Sequence, residues 1–335
     1  MPTSGSQVIL CDVPIRFDTY IGCSHGCAYC FTQKKHDNTI IKKGETVKAL
    51  KHFVSGCRTI LTKWCDFDIP IHWGGISDPF QPIEKEMKKS LECLEYLSDT
   101  KYPFIFSTKG ILVTQPDYLE LLKNSNCVGQ VSITQNNFID KYEKGAPNFN
   151  SRIEMIEKLA PVVKRLIVRI QPYLPYFLKD VLEYLDIYQK CGVYGVTVEG
   201  LKNSTNKNPT TEKVAWDYCI PKDILYNDFV RIKEKCHELE IKFFAGENRL
   251  RNMGDSLCCC GCEGLNGFKV HKGNLNHIYF GTPEFTEASK KTGSADVFKA
   301  LSQEAGYSQY IKGSAFYDKM ISISKTKAAR EIYGL

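Results

Sequence analysis

Short runs of β-branched and aromatic residues alternate along this chain with stretches whose apolar positions recur every three or four residues. The runs at 13–20, 69–73, 103–107, 128–134, 166–171, 194–199 and 241–245 read as strands. Between them, 45–61, 84–98, 116–122, 151–160, 177–191 and 224–239 read as helices. In the second of these, Met87, Leu91, Leu94 and Leu97 fall on one face. Pro116 stands where a first helical turn tolerates proline. Ser151, with Glu154 three residues on, has the form of a capping box. Strand–helix alternation is the signature of parallel βαβ units. A helix-only bundle does not explain the glycines and polar residues that punctuate each apolar run.

Six or seven such units predict an α/β fold. The expected form is a partial (βα)6 TIM-like barrel over 1–245, with a cysteine-rich extension over 246–335 that caps it. Parallel barrels carry their chemistry at the carboxyl ends of the strands, where loops vary while the strands hold them rigid. The residues placed there are 23–30, 74–78, Thr108, Lys109, Gln135, Gln171 and Glu199. Two segments break the alternation. Residues 201–222 are polar and rich in Asn, Thr and Lys, which predicts a lid or a disordered loop. The stretch 281–335 carries Phe, Tyr and Lys in helical patterns and is expected to lie over the open barrel.

Composition narrows the class. At 335 residues the chain is long enough for one large barrel-type domain or two smaller ones. No apolar run approaches the ~20 residues that span a bilayer, so no membrane partner is expected. The first residues lack the charged and apolar regions of a secretory signal, which predicts a cytoplasmic protein. Fifteen cysteines then argue for reduced thiols and metal ligation rather than disulfides. A net charge of +6 permits a polyanionic partner without requiring one.

The candidate chemistry begins at Cys23-Ser24-His25-Gly26-Cys27-Ala28-Tyr29-Cys30. Three thiolates at this spacing can hold three irons of a [4Fe–4S] cube and leave the fourth iron open to a small molecule. Structural zinc is the competing reading, with His25 or Cys11 as a further ligand. No second cysteine pair follows at finger or ribbon distance, which counts against it.

The C-x3-C-x-aromatic-C pattern, with Tyr29 before the third cysteine, resembles the radical S-adenosylmethionine (radical SAM) enzymes. The run from Gly22 to Phe31 is similar to their spore photoproduct lyase branch, as is Asp78-Pro79-Phe80-Gln81-Pro82-Ile83-Glu84. The resemblance implies a cluster held by Cys23, Cys27 and Cys30, with the amino and carboxylate groups of SAM on the fourth iron. It implies reductive cleavage of SAM to a 5′-deoxyadenosyl radical that abstracts hydrogen from a substrate, with flavodoxin or ferredoxin as electron donor. It also places SAM contacts at Tyr29, Gly74, Gly75, Ser77, Asp78, Lys109, Arg169, Gln171 and Glu199. Ile76 stands where a Gly-Gly-Glu motif would have its acid, which leaves the ammonium to backbone carbonyls or to Ser77 and Asp78. Lys109 is the carboxylate candidate. Arg169 and Gln171 fall near the carboxylate or ribose, and an arginine inside an apolar strand is costly unless paired.

A second cluster, Cys258-Cys259-Cys260-Gly261-Cys262, is hard to explain as packing alone. Three readings stand. These cysteines ligate a second iron–sulfur cluster, with Cys11, Cys219 or Cys236; or they bind zinc; or one of Cys258, Cys260 and Cys262 donates a hydrogen atom, the role a single cysteine plays in spore photoproduct lyase. Adjacent cysteines of an extended chain point to opposite faces, so in a strand Cys258, Cys260 and Cys262 share a face, while a tight turn at Gly261 changes the set. The strand ending at Ala245 is expected to put this loop over the barrel mouth.

The branch resemblance, the positive charge and the aromatic, basic stretch 307–319 favour a nucleic-acid base or nucleotide as substrate. A radical SAM enzyme acting on a peptide or small metabolite is the first alternative. A non-enzymatic, zinc-dependent nucleic-acid-binding protein is the second.

Overall fold

The computed structural model describes residues 1–280 apart from 4–9, 35–40, 60–61, 63–64, 66–67, 204–210, 215–216 and 273. The stretch 281–335, expected to lie over the barrel, is outside the described residues, as is the aromatic, basic stretch 307–319.

The strands, in chain order, are β1 Ile15–Phe17, β2 Tyr20–Ile21, β3 Lys42–Lys43, β4 Ile71–Trp73, β5 Phe104–Thr108, β6 Cys127–Ser132, β7 Arg165–Tyr173, β8 Gly195–Gly200, β9 Lys202–Asn203, β10 Glu212–Val214, β11 Asp217–Cys219 and β12 Lys242–Ala245. The α-helices are α1 Val47–Val54, α2 Glu84–Met87, α3 Lys89–Thr100, α4 Pro116–Lys123, α5 Asn136–Tyr142, α6 Phe149–Leu159, α7 Leu178–Lys190, α8 Lys222–Glu238 and α9 Leu275–Phe280. Seven strands form one sheet in the order β1-β4-β5-β6-β7-β8-β12, every neighbouring pair parallel. Each step along the sheet is a crossover through helix. β1 and β12 remain as its two edges, so the structure is an open, partial barrel of the TIM type.

Side chains alternate across the sheet as strand geometry requires. Phe104 and Phe106 enter the layer between sheet and helices, while Ile105 faces the concave interior. The same alternation sends Val131 and Val168 outward and Val128 and Ile167 inward. The outer layer is built on buried aromatics, with Trp73, Phe80, Phe104 and Phe106 in successive ring contact.

Several boundaries differ from the sequence expectation for local reasons. The 45–61 helix shrinks to α1, capped by Thr46, whose hydroxyl accepts from Ala49 N at 3.4 Å. The 84–98 helix is two helices, because Lys88 takes a left-handed conformation at φ 52°. The Glu84 carboxylate then accepts from the first-turn amides of α3, Ser90 N and Leu91 N, both at 2.9 Å. Asn148, not Ser151, caps α6: its side chain accepts from Ser151 N at 2.9 Å. Gln135 likewise caps α5, a helix the sequence pattern did not announce. The predicted lid at 201–222 holds a three-stranded antiparallel sheet, β10-β11-β9, in its described part. Among the described residues no helix is long and apolar enough to cross a membrane.

Candidate functional site

The three-cysteine loop leaves β2 at the carboxyl edge of β1 and is gripped from two sides. Gln81, fully buried, spans Cys23: its Oε1 accepts from Ser24 N at 2.9 Å and its Nε2 donates to Gly22 O at 3.1 Å. His25 is 3.1 Å from Asp78 Oδ2 through Nε2 and 3.1 Å from Gly145 O through Nδ1. Ala28 N donates to Tyr142 O at 2.8 Å, and Gly145 N to His25 O at 3.1 Å. His25, an alternative zinc ligand by sequence, is thus an anchor of the loop. Tyr20 and Tyr118 both donate to buried Glu84. Asp78, Gln81 and Glu84 are therefore the scaffold on which the cysteine loop is folded.

Asp78 is more committed than its sequence position implied. Oδ1 accepts from Phe80 N at 2.8 Å and Thr108 Oγ1 at 2.7 Å; Oδ2 accepts from Lys109 N at 2.6 Å besides facing His25. Burial pushes its carboxyl up, but His25 and these donors outweigh burial and hold it at about 2. Ser77 donates to Tyr20 O at 2.7 Å. Gly74 sits at φ +84°, and a Cβ there would meet Ser107 O at 2.5 Å; Gly75 lies against Arg16 without such conflict.

Beneath the loop lies a buried charge cluster that the sequence reading missed. Glu143 accepts from the Tyr29 hydroxyl and pairs with Arg152 Nη2 at 2.5 Å, both ionic side chains wholly buried. Arg152 also donates to Pro147 O at 2.9 Å and Ser132 O at 2.8 Å. Lys109 Nζ lies 5.9 Å from the Tyr29 ring. Burial disfavours its charge, but Glu143 and Cys27 outweigh that and raise its pKa. Tyr29 is thereby a packed and hydrogen-bonded residue of the loop, its ring 5.5 Å from that of Phe138.

Cys27 is buried, Cys23 and Cys30 half-buried. Burial, and then the charge of Asp78, pushes the Cys23 thiol up to about 12; burial raises Cys27 against the pull of Lys109. The pocket disfavours bare thiolates, a penalty that a bound cation reverses. Cys23, Cys27 and Cys30 are electrostatic neighbours on one pinned loop, which fits three ligands to a shared cluster. Among the described residues no three His, Cys, Asp or Glu side chains are already drawn together as a metal site.

Across the concave face runs a ladder of polar side chains. His72 Nε2 is 2.8 Å from Ser107 Oγ, which donates to Gln130 Oε1 at 2.9 Å. Arg169 donates to Gln130 Oε1 at 2.9 Å and to Gln171. Gln171 Nε2 donates to Glu199 Oε2 at 2.7 Å, and Lys202 Nζ to Glu199 Oε1 at 2.6 Å. Three residues placed by sequence, Arg169, Gln171 and Glu199, are thus one connected network. His72, Ser107, Gln130 and Lys202 belong to it and were not foreseen. The signal was a polar residue inside an apolar run, as in Ile71-His72-Trp73 and Gly129-Gln130-Val131. Burial, then the charges of Arg169 and Arg16, lowers His72 to about 3, so its imidazole is neutral.

The second cysteine cluster does not lie over the mouth. Cys258, Cys260 and Cys262 are buried with Ile105, Val128, Ile167 and Phe244, inward residues from the amino-terminal halves of β5, β6 and β7 and from β12. Arg165, the first residue of β7, donates to Gly261 O at 2.8 Å and Glu263 O at 2.9 Å. Thr197 Oγ1 donates to Cys259 O at 2.7 Å. Gly261 is at φ +68°, and a Cβ would lie 2.6 Å from Ile167 Cδ1. The loop closes the floor of the barrel, on the other side of the polar ladder from the three-cysteine loop. The reason is its composition: its side chains are small and apolar when protonated, and the lower interior of the sheet is apolar.

The fold and this loop together define a half-open βα barrel with a three-cysteine loop at the carboxyl ends of its strands. Among solved structures the same fold is found in spore photoproduct lyase. A variant of that enzyme with dinucleoside spore photoproduct superimposes with a TM-score of 0.57 at 15% identity, over 73% of this chain and 78% of that one. A second variant, with bound AdoMet and dinucleoside spore photoproduct, gives 0.58 at 14% identity over the same shares. SuiB of Streptococcus suis, bound to the precursor peptide SuiA, gives 0.51 at 12% identity, over 69% of this chain and 48% of that one. No protein-family model and no curated protein sequence matches the chain.

Proposed function

We propose that this chain is a radical SAM enzyme, with Cys23, Cys27 and Cys30 holding a [4Fe–4S] cluster. One observation carries the reading: Asp78 and Gln81 grip Gly22, Ser24 and His25, so the two resemblance-bearing motifs are a single physical unit. When bound, cluster and SAM supply a one-electron cleavage that generates a hydrogen-abstracting 5′-deoxyadenosyl radical. The chain's own part is to hold, aim and exclude water. Lys109, charged and close to Tyr29 and Cys27, offers a cation to the SAM carboxylate. Arg169, Gln171 and Glu199 offer an ordered row of donors and acceptors to ribose and carboxylate groups. Asp78 has its lone pairs occupied, which shifts the ammonium contact to the backbone around Gly74 and Gly75. Flavodoxin or ferredoxin fits as the electron source.

The substrate we favour is a nucleic-acid base or nucleotide. Its support is the shared fold with lyase structures that hold a dinucleoside.

The test is anaerobic reconstitution with iron and sulfide. The reading expects about four irons per chain and release of 5′-deoxyadenosine and methionine from SAM on reduction, both lost when Cys23, Cys27 and Cys30 are replaced by Ala. Iron binding without SAM cleavage would sink it. Steeply salt-dependent binding of DNA or RNA supports the substrate class, and its absence counts against it.

A further inference from the structure

Cys11 and the four cysteines of the 258–262 loop are not scattered packing residues. Cys258 Sγ and Cys262 Sγ are 3.4 Å apart, wholly buried. Cys260, 3% exposed, shares one buried cluster with Cys258 and Cys262, and Cys259 and Cys11, the latter more than 240 positions earlier in the chain, pack against it. Cys11 also accepts from Val13 N at 3.4 Å, the kind of N–H···S bond that supports a ligating thiolate. Cys259 differs from the others. Like Cys11 it is half-buried, but its charged neighbours are Arg251 and Arg169, the latter on the ladder side of the loop.

We propose that Cys11, Cys258, Cys260 and Cys262 are the four ligands of one structural zinc ion that locks the cysteine loop into the barrel floor, and that Cys259 is not a ligand. Protonated thiols keep neighbouring sulfurs at hydrogen-bond separations around no common point. Replacing their protons with one divalent cation draws four sulfurs to the corners of a tetrahedron whose edges are about 3.8 Å for a Zn–S bond of about 2.3 Å. The Cys258–Cys262 separation is already close to that edge. A four-iron cube is a poorer fit, because it binds each cysteine through a different iron and so spreads the sulfurs apart. Four cysteine ligands fill a tetrahedral zinc site and leave no position for substrate, the arrangement of structural rather than catalytic zinc. The backbone around it is prearranged, with Gly261 N donating to Cys258 O at 3.1 Å, Leu265 N to Cys262 O at 3.1 Å, and Arg165 and Thr197 holding the loop from two strands.

This assignment does not depend on the radical SAM reading, and the experiment separates them. The full chain carrying Cys23→Ala, Cys27→Ala and Cys30→Ala is purified anaerobically, and zinc, iron and sulfide are counted. One zinc per chain without iron is expected. Single Cys→Ser changes at 11, 258, 260 and 262 in that background each abolish it, whereas Cys259→Ser keeps it. Should those variants not fold, cobalt(II) is loaded into the triplet variant instead; strong thiolate charge-transfer and tetrahedral d–d absorption then supports the site. Iron and sulfide retained in the triplet variant would overturn the proposal in favour of a second cluster. So would absence of any metal, zinc retained after Cys11→Ser, or two thiols that resist alkylation after chelation and denaturation, which would reveal a Cys258–Cys262 disulfide.

Discussion

Gln81 holds the peptide on both sides of Cys23, accepting from Ser24 N at 2.9 Å and donating to Gly22 O at 3.1 Å. A single amide fixes the first cysteine of the loop because it alone offers a donor and an acceptor a fixed distance apart. Gln81→Ala strips both bonds and leaves two backbone groups without their partner, a cost of about 1–3 kcal/mol each. Its iron content after reconstitution is expected to fall well below that of the parent. Gln81→Glu keeps the acceptor and loses the donor, so it should fall between. Unchanged iron in Gln81→Ala would show that the loop holds itself.

Asp78 makes a distinct pH signature. An ordinary Asp carboxyl titrates near 3.8, that of Asp78 at about 2. Between those values the unfolded chain takes up a proton that the folded chain refuses, so stability falls as the pH falls. The contribution is full above the ordinary value and lost as the pH drops through about 2. Urea midpoints of the parent and of Asp78→Asn should differ most near neutrality and converge in acid. A gap that stays constant with pH would remove the carboxylate from the explanation.

The buried pair Arg152–Glu143 supports the loop from below. Breaking it with Arg152→Met leaves a buried carboxylate with Lys109 as its remaining cation, and a loss of about 3–5 kcal/mol is expected. The double variant Arg152→Met, Glu143→Leu should recover much of that loss, because neither charge is then stranded. Denaturant melts of the four species of the cycle measure it.

Gly74 and Gly75 are adjacent but not equivalent. Gly74→Ala forces a Cβ to 2.5 Å from Ser107 O at a positive φ, whereas at Gly75 the nearest atom is 3.6 Å away. Gly74→Ala should cost on the order of 1–3 kcal/mol and Gly75→Ala well under 1. Thermal melts that rank them the other way would contradict the backbone described here.

Under the proposed function, Lys109→Met, Arg169→Met and Glu199→Gln should each weaken SAM binding roughly tenfold, about 1.4 kcal/mol, while iron content stays at the parent level. Calorimetry on the reconstituted protein reads the first and iron analysis the second. Loss of iron together with SAM affinity would assign these residues to the loop instead.

Much of the architecture was legible locally. The β-branched and aromatic runs located all seven strands of the main sheet, because a parallel strand covered on both faces reads as a near-continuous apolar run. Helix ends were less legible, since Glu84 caps α3 and Lys88 breaks the run through contacts and backbone strain that no periodicity carries. Of the candidate site residues, Arg169 stood out as an arginine inside an apolar strand, which must have a partner, and Gln171 and Glu199 as polar residues at the carboxyl ends of their strands. Glu143 and Arg152 were not, because each belongs to a polar stretch that reads as solvated.

By itself the sequence determined the βα order, the three-cysteine loop and the polar residues at the strand ends, all set by neighbours a few positions apart. Only the tertiary structure decided that Asp78, Gln81 and Glu84 serve the loop rather than face outward, since their donors lie 53 to 64 residues away. It also decided that the second cysteine cluster lies on the barrel floor against Cys11. Where a thiol-rich loop settles depends on which apolar surface remains uncovered once the sheet has curled, and that surface exists only after the strands have assembled.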